Sequence, residues 1–174
     1  PKASQAMLDA ITQGNLIVNF TGHGNEGQLT HESIFNEFMI SELDNNILMP
    51  LFVTATCQFG NYDYPNRVSG GEQIVLLPYG GAIALITATR PVFSNTNYKL
   101  NEAFYFSAMQ KEDGQFKRLG DIIRETKNNS LVGAGNRNYA LLGDPMMRIS
   151  FPEQEVALTA IDGKSIDELD TLKA

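Results

Sequence analysis

"NLIVNFTGHGNEG" (residues 15–27) and "LFVTATCQFGNYD" (residues 51–63) decide the fold, because each runs from a short apolar stretch into a glycine-bearing loop. "NLIVNF" (15–20) and "LFVTAT" (51–56) are rich in β-branched and aromatic residues and too short for helices, the pattern of strands buried on both faces. "GAIALIT" (81–87) repeats it. Helical spacing fills the intervals. "SQAMLDAITQ" (4–13) puts Met7, Leu8 and Ile11 on one face, with Ser4 as its expected N-cap and Gly14 as its stop. "NEFMISELD" (36–44) reads as a short helix, and Ser69 with Glu72 forms a capping-box pattern before a helix that stops near Pro78.

Further along, "NYKLNEAFYFSAMQ" (97–110) aligns Leu100, Phe104 and Ala108, and "RLGDIIRETK" (118–127) aligns Leu119, Ile122, Ile123 and Thr126. The Tyr and Phe residues of 98–106 read as core, "MMRISF" (146–151) as a last strand, and Asp144-Pro145 as a turn. Doubly buried strands alternating with helices predict a parallel sheet covered by helices. In such sheets the functional loops lie beyond the carboxyl ends of the strands. "TGHGNEG" and "CQFGNYDYPN" both fall there.

The 174 residues, 43% of them apolar, suit one domain with a real core. Pro1 opens the chain without a basic-then-apolar leader, so the sequence is expected to be a piece of a longer protein. No apolar run approaches the ~20 residues that cross a bilayer. The net charge is −7, of which residues 151–174 carry −4. No basic stripe is present to neutralise phosphates, which argues against a nucleic-acid partner. Cys57 is the only cysteine, which excludes an intrachain disulfide and a cysteine-based zinc site. Taken alone it is either a small buried hydrophobe or a nucleophile.

The two loops supply the chemistry. His23 and Cys57 lie 34 residues apart, room for one crossover, so their strands can be neighbours and their side chains can meet. An imidazole beside a thiol can form a thiolate–imidazolium pair. Gly22 and Gly24 permit a tight turn, and the N–H groups of Gly24 and Cys57 are candidates for an oxyanion hole. "GHGNEG" also spells a dinucleotide-binding loop, but "QLTHESIFNE" behind it opens no helix, and no Gly-Lys-Ser/Thr ending marks a P-loop. His31 and Asp63 read as loop residues, with Asp63 able to support the site.

"TGHGNEG", "LFVTATCQFGNYDYP", "SGGEQIVLLPYGGAIALITATRPVFS" and "YALLGDPMMRI", in this order over residues 14–150, resemble the gingipain-like cysteine peptidases, and within them the sortase of the bacterial type IX secretion system. The resemblance implies a caspase-like, three-layer α/β/α fold with a mainly parallel sheet, here as an incomplete catalytic domain over residues 1–150. Residues 151–174 would be a connector or the start of a following β-sandwich domain. It implies His23 and Cys57 as the catalytic pair, Gly24 and Cys57 as oxyanion donors, and Thr89, Arg90 and Phe93 as pocket residues, with no metal or cofactor. The acid that orients the histidine in this family comes from well upstream. Asp9 lies on a helix and Glu26 is too close along the loop, so that acid is expected outside this piece.

The implied reaction is cleavage of C-terminal secretion signals from cargo proteins, followed by transfer to lipopolysaccharide. The implied partners are those cargo proteins, outer-membrane secretion components and the lipopolysaccharide acceptor, at the surface of a Gram-negative cell. A secreted endopeptidase using only water, and a non-catalytic scaffold that keeps the fold, remain the alternatives.

Overall fold

The computed structural model describes residues 2–130, 134–152, 157–161 and 164–165. Helix α1 (Lys2–Gln13) leads through Gly14, at φ +95°, into strand β1 (Ile17–Thr21). Because α1 already begins at Lys2, Ser4 lies inside the helix rather than at its cap. A hairpin of β2 (Gln28–Leu29) and β3 (Phe35–Asn36) follows, where the sequence showed only a non-helical loop. Asn36 then caps α2 (Glu37–Ser41) by accepting from the Met39 N–H, so this helix is shorter than the expected 36–44.

Strand β4 (Leu51–Ala55), helix α3 (Gly70–Leu76) and strand β5 (Ala84–Ala88) come next. The capping box at α3 is formed: Ser69 Oγ accepts from the Glu72 N–H, and a Glu72 carboxylate oxygen accepts from the Ser69 N–H. Helices α4 (Ser94–Ala108) and α5 (Leu119–Ser130) flank a small hairpin of β6 (Lys111–Glu112) and β7 (Gln115–Phe116). A short α6 (Ala134–Arg137) precedes β8 (Tyr139–Gly143). Strands β9 (Ala160–Ile161) and β10 (Lys164–Ser165) pair antiparallel, and residues 162–163 between them lie outside the described residues.

The main sheet has the order β1-β4-β5-β8, with β1, β4 and β5 parallel and β8 antiparallel to β5. The last strand is therefore 139–143, not 146–151. The chain turns at Asp144-Pro145, where the Asp144 carboxylate accepts from the Met146 N–H, and the segment beyond is tied to the start of α5 by the Leu119 N–H donating to the Met147 carbonyl (2.8 Å) and by a bridge between Arg118 and Arg148. Ile149 from that segment packs into the core, which is the burial that its alternating pattern reflected.

β4 and β5 are buried at every position. Phe52 and Leu85 face one way, against Ile11, Ile40 and Ile74 of α1, α2 and α3. Leu51, Val53, Ala84 and Ile86 face the other way, against Phe104, Ala108, Leu119 and Ile122 of α4 and α5. This is the three-layer α/β/α arrangement with a mainly parallel sheet. Of the aromatic residues in 98–106 only Phe104 is core; Tyr98 and Phe106 are exposed, because α4 buries one stripe and these fall off it.

Candidate active site

Strands β1 and β4 pair in parallel from Ile17↔Leu51 to Thr21↔Ala55, an offset of 34 throughout. His23 and Cys57 carry the same offset, so each lies two residues past the last pair, on one rim of the sheet. Neighbouring strands run about 4.8 Å apart. A hydrogen bond from the Gly22 N–H to the Ala55 carbonyl (3.3 Å) carries the pairing one residue beyond the strands.

The His23 loop is folded back on β2. Thr30 N–H donates to the His23 carbonyl (2.8 Å) and Asn25 N–H to the Gln28 carbonyl (3.0 Å), which makes Gly24 and Leu29 an antiparallel bridge pair. Between two such bonds the bridge residue turns its own N–H away from the partner strand. Among the described residues no hydrogen bond uses the N–H of Gly24 or of Cys57. A Cβ at position 24 would lie 2.5 Å from Thr56 Oγ1 and 2.8 Å from the Gln28 carbonyl oxygen, so the loop rests directly on the residue before Cys57. Thr56 Oγ1 is itself buried and without a partner among the described residues.

Cys57 is half-buried, and its S–H donates to the Val92 carbonyl at 3.6 Å. The chain then turns through Gln58, a non-glycine residue at φ 57°. Gly60 N–H continues onto β5 by donating to the Ala88 carbonyl (3.1 Å), and Phe59 is fully buried under α3. The Cys57 turn is thus held on both sides.

Beside it opens a cleft of about 390 Å³ lined by Glu26, Gln58, Asn61, Asp63, Tyr64 and Arg90. Arg90 grips both Asp63 carboxylate oxygens (2.9 and 2.5 Å) and also donates to Asn61 Oδ1 and to the Thr89 carbonyl. The hydrogen bonds from Arg90 hold the Asp63 carboxyl below its ordinary range. Thr89 is buried, with its N–H and hydroxyl both donating to the Asn138 carbonyl. Phe93 is exposed at the start of α4, where Thr96 Oγ1 accepts from its N–H.

Some residues near the site were read by sequence only as loop residues or were not singled out at all. The His31 ring comes within 5.8 Å (centroids) of the His23 ring, because the β2–β3 hairpin folds back over the loop. Asn97 and Tyr139 form a buried pair under the end of β4. The strand–GHG pattern could have pointed to His31 only if the hairpin had been recognised; the polar pair carries no local signal.

Residues 1–150 match the sequence profile described as Peptidase family C25. No curated protein sequence is significantly similar to the chain. Among solved structures, the fold matches the crystal structure of the Arg-specific cysteine proteinase gingipain R (RgpB), with TM-score 0.74 and 19% identity over 84% of this chain and 36% of that one. It also matches the complex of the Porphyromonas gingivalis RgpB pro- and mature domains (TM-score 0.74, 18% identity, 84% and 37% covered). A further match is a structure described only as a protease (TM-score 0.66, 16% identity, 81% and 37% covered). The chain spans about a third of the length of these structures.

Two outcomes follow from the geometry. Gly24→Ala should lower stability by about 1–3 kcal/mol in urea unfolding, since the added methyl meets Thr56 and a backbone carbonyl; an unchanged midpoint would contradict the close approach. The Asp63 carboxyl should titrate by NMR below the ~3.9 of an unperturbed aspartate, and Arg90→Ala should raise its midpoint. A folded value depressed in this way favours the folded state above the ordinary carboxylate range, and that contribution disappears as pH falls through the folded value.

Proposed function

Given that the chain belongs to peptidase family C25, the gingipain family of cysteine peptidases, we propose that Cys57 is its nucleophile and His23 its general acid and base. The observation that carries the reading is the shared register offset, which sets both residues at one level on adjacent strand ends. In this reading the Cys57 thiolate attacks a peptide carbonyl and the C=O electron pair moves onto oxygen. The N–H groups of Gly24 and Cys57, unused within the described residues, receive that oxyanion. The His23 imidazolium gives its proton to the departing amine as the C–N bond breaks, leaving a thioester on Cys57. Water, deprotonated by His23, or an amine then resolves the thioester.

Thr89, Arg90 and Phe93 are proposed as the wall of a substrate pocket. Thr89 would contribute shape, since its hydroxyl already donates to Asn138. The Arg90 guanidinium is held by Asp63 and Asn61, so it would form a fixed rim rather than recruit an anion. The exposed Phe93 ring would cover apolar parts of the peptide.

The finer proposal is a sortase of the type IX secretion system at the cell surface. It would remove C-terminal signal domains from cargo proteins and pass the acyl group to lipopolysaccharide, beside outer-membrane secretion components. Its support is the ordered set of segments from "TGHGNEG" to "YALLGDPMMRI". A gingipain-like endopeptidase with water as its only acceptor is the second reading, supported by the fold shared with gingipain R.

Iodoacetamide should alkylate Cys57 about tenfold or more faster than free cysteine near neutral pH, and His23→Ala should remove that advantage. A thiol no faster than free cysteine and indifferent to His23 would favour a scaffold. Mass spectrometry of cargo C-termini separates the two enzymes: a lipopolysaccharide-derived amide supports the sortase, and free carboxylates throughout support hydrolysis alone.

A further inference from the structure

Helix α4 reaches the ends of both site-bearing strands with two asparagines one turn apart. Asn97 Nδ2 donates to the Ala55 carbonyl at 2.8 Å, and Asn101 Nδ2 donates to Thr21 Oγ1. Asn101 Oδ1 in turn accepts from Asn19 on β1 (2.7 Å). Residues at i and i+4 share one helix face, so α4 presents both amides to the sheet at once. The Ala55 carbonyl is also the acceptor for the Gly22 N–H, which makes it the junction of the His23 loop, the Cys57 turn and α4.

Asn97 is 5% exposed, and an amide in that place has two orientations. The Tyr139 hydroxyl, donating to Asn97 Oδ1, selects the one that points the NH₂ at Ala55. Tyr139 is 1% exposed and packs with Ala55, Ala88 and Leu100, against which Val92 also lies. Lys127 Nζ holds its main-chain carbonyl at 2.8 Å. Burial pushes the Tyr139 phenol up to about 12. The phenol therefore remains an O–H donor throughout the neutral range.

We propose that Asn97, oriented by Tyr139 and seconded by Asn101, is a positioning residue that holds the Cys57 turn against the His23 loop. This rests on the assignment of Cys57 and His23 as the reacting pair. Neither asparagine nor the tyrosine touches the reacting atoms. They act through the Ala55 carbonyl and Thr21, and displacements near 1 Å at a reacting pair can cost about 100-fold in rate.

The test compares iodoacetamide alkylation of Cys57 and amide hydrogen exchange in the full chain, for wild type, Tyr139→Phe, Asn97→Ala and the double variant. Asn45→Ala serves as the control for general destabilisation, since it breaks the buried Asn45–Gly81 hydrogen bonds (3.1 and 2.8 Å) at the opposite end of the sheet. Tyr139→Phe and Asn97→Ala should each slow alkylation about fivefold or more and reduce the effect of His23→Ala made in the same background. The double variant should be no slower than Asn97→Ala alone, because the two residues act in series. Exchange of the Gly22 N–H should accelerate in both single variants and not in Asn45→Ala.

Wild-type alkylation with undiminished dependence on His23 in Tyr139→Phe and Asn97→Ala would overturn the proposal, as would an equal loss in Asn45→Ala. Should the wild-type thiol show no dependence on His23, the peptidase assignment fails by itself. Gly22 exchange then decides the inference: acceleration supports the positioning of the two loops, and unchanged protection overturns it.

Discussion

Everything at this site depends on the in-register parallel pairing of β1 with β4. Side chains alternate across a strand, so a slip of one residue would set Thr56 or Gln58 level with His23 and turn the neighbouring side chain to the opposite face. The register is held because β4 is buried on both sides: the same slip would exchange Phe52 for Val53 between two different helical layers. Burial of aliphatic surface in the middle of the sheet thus controls polar geometry at its edge. The Ala55 carbonyl transmits that control, since it accepts from the loop on one side and the helix on the other.

Close approach at the rim requires small residues. The His23 loop can lie on Thr56 only because position 24 has no Cβ. The turn after Cys57 meets β5 in the same way: a Cβ at Gly60 would fall 2.0 Å from Thr87 Cγ2. Gln58 takes the left-handed backbone between these two contacts. A strained residue of this kind persists when its surroundings over-determine it, and here Phe59 in the core and the Gly60–Ala88 hydrogen bond do so. The turn is a consequence of how β4 must hand the chain to α3, and it leaves the Cys57 N–H unused by any described residue.

Charge around the rim is arranged in pairs. Arg90 is matched to Asp63 and Arg67 to Glu37, all four partly exposed. Exposed pairs of this kind add little to stability; their effect is to fix loop shape, and Arg90 does so by joining the loop after β5 to the loop after β4. In the wall of the cleft, Asn61, Asp63 and Arg90 are consequently held together before any ligand arrives.

What the sequence by itself determined is the layer order and the rim. Three apolar runs too short for helices, spaced by amphipathic segments, leave few alternatives to a helix-covered parallel sheet, and the 34-residue spacing of His23 and Cys57 already equals that of their strands. Local pattern also located the Ser69–Glu72 cap and the Asp144-Pro145 turn, because caps and turns are satisfied within a few residues. It misplaced the final strand, since "YALLG" and "MMRISF" are equally apolar and only pairing with β5 distinguishes them. His31 beside His23, the Arg90–Asp63 grip and the Tyr139–Asn97–Ala55 chain were decided by tertiary structure alone. Each joins segments through side-chain hydrogen bonds or ring contact. Such contacts depend on direction and distance in three dimensions, whereas hydrophobic periodicity records only which way a residue faces.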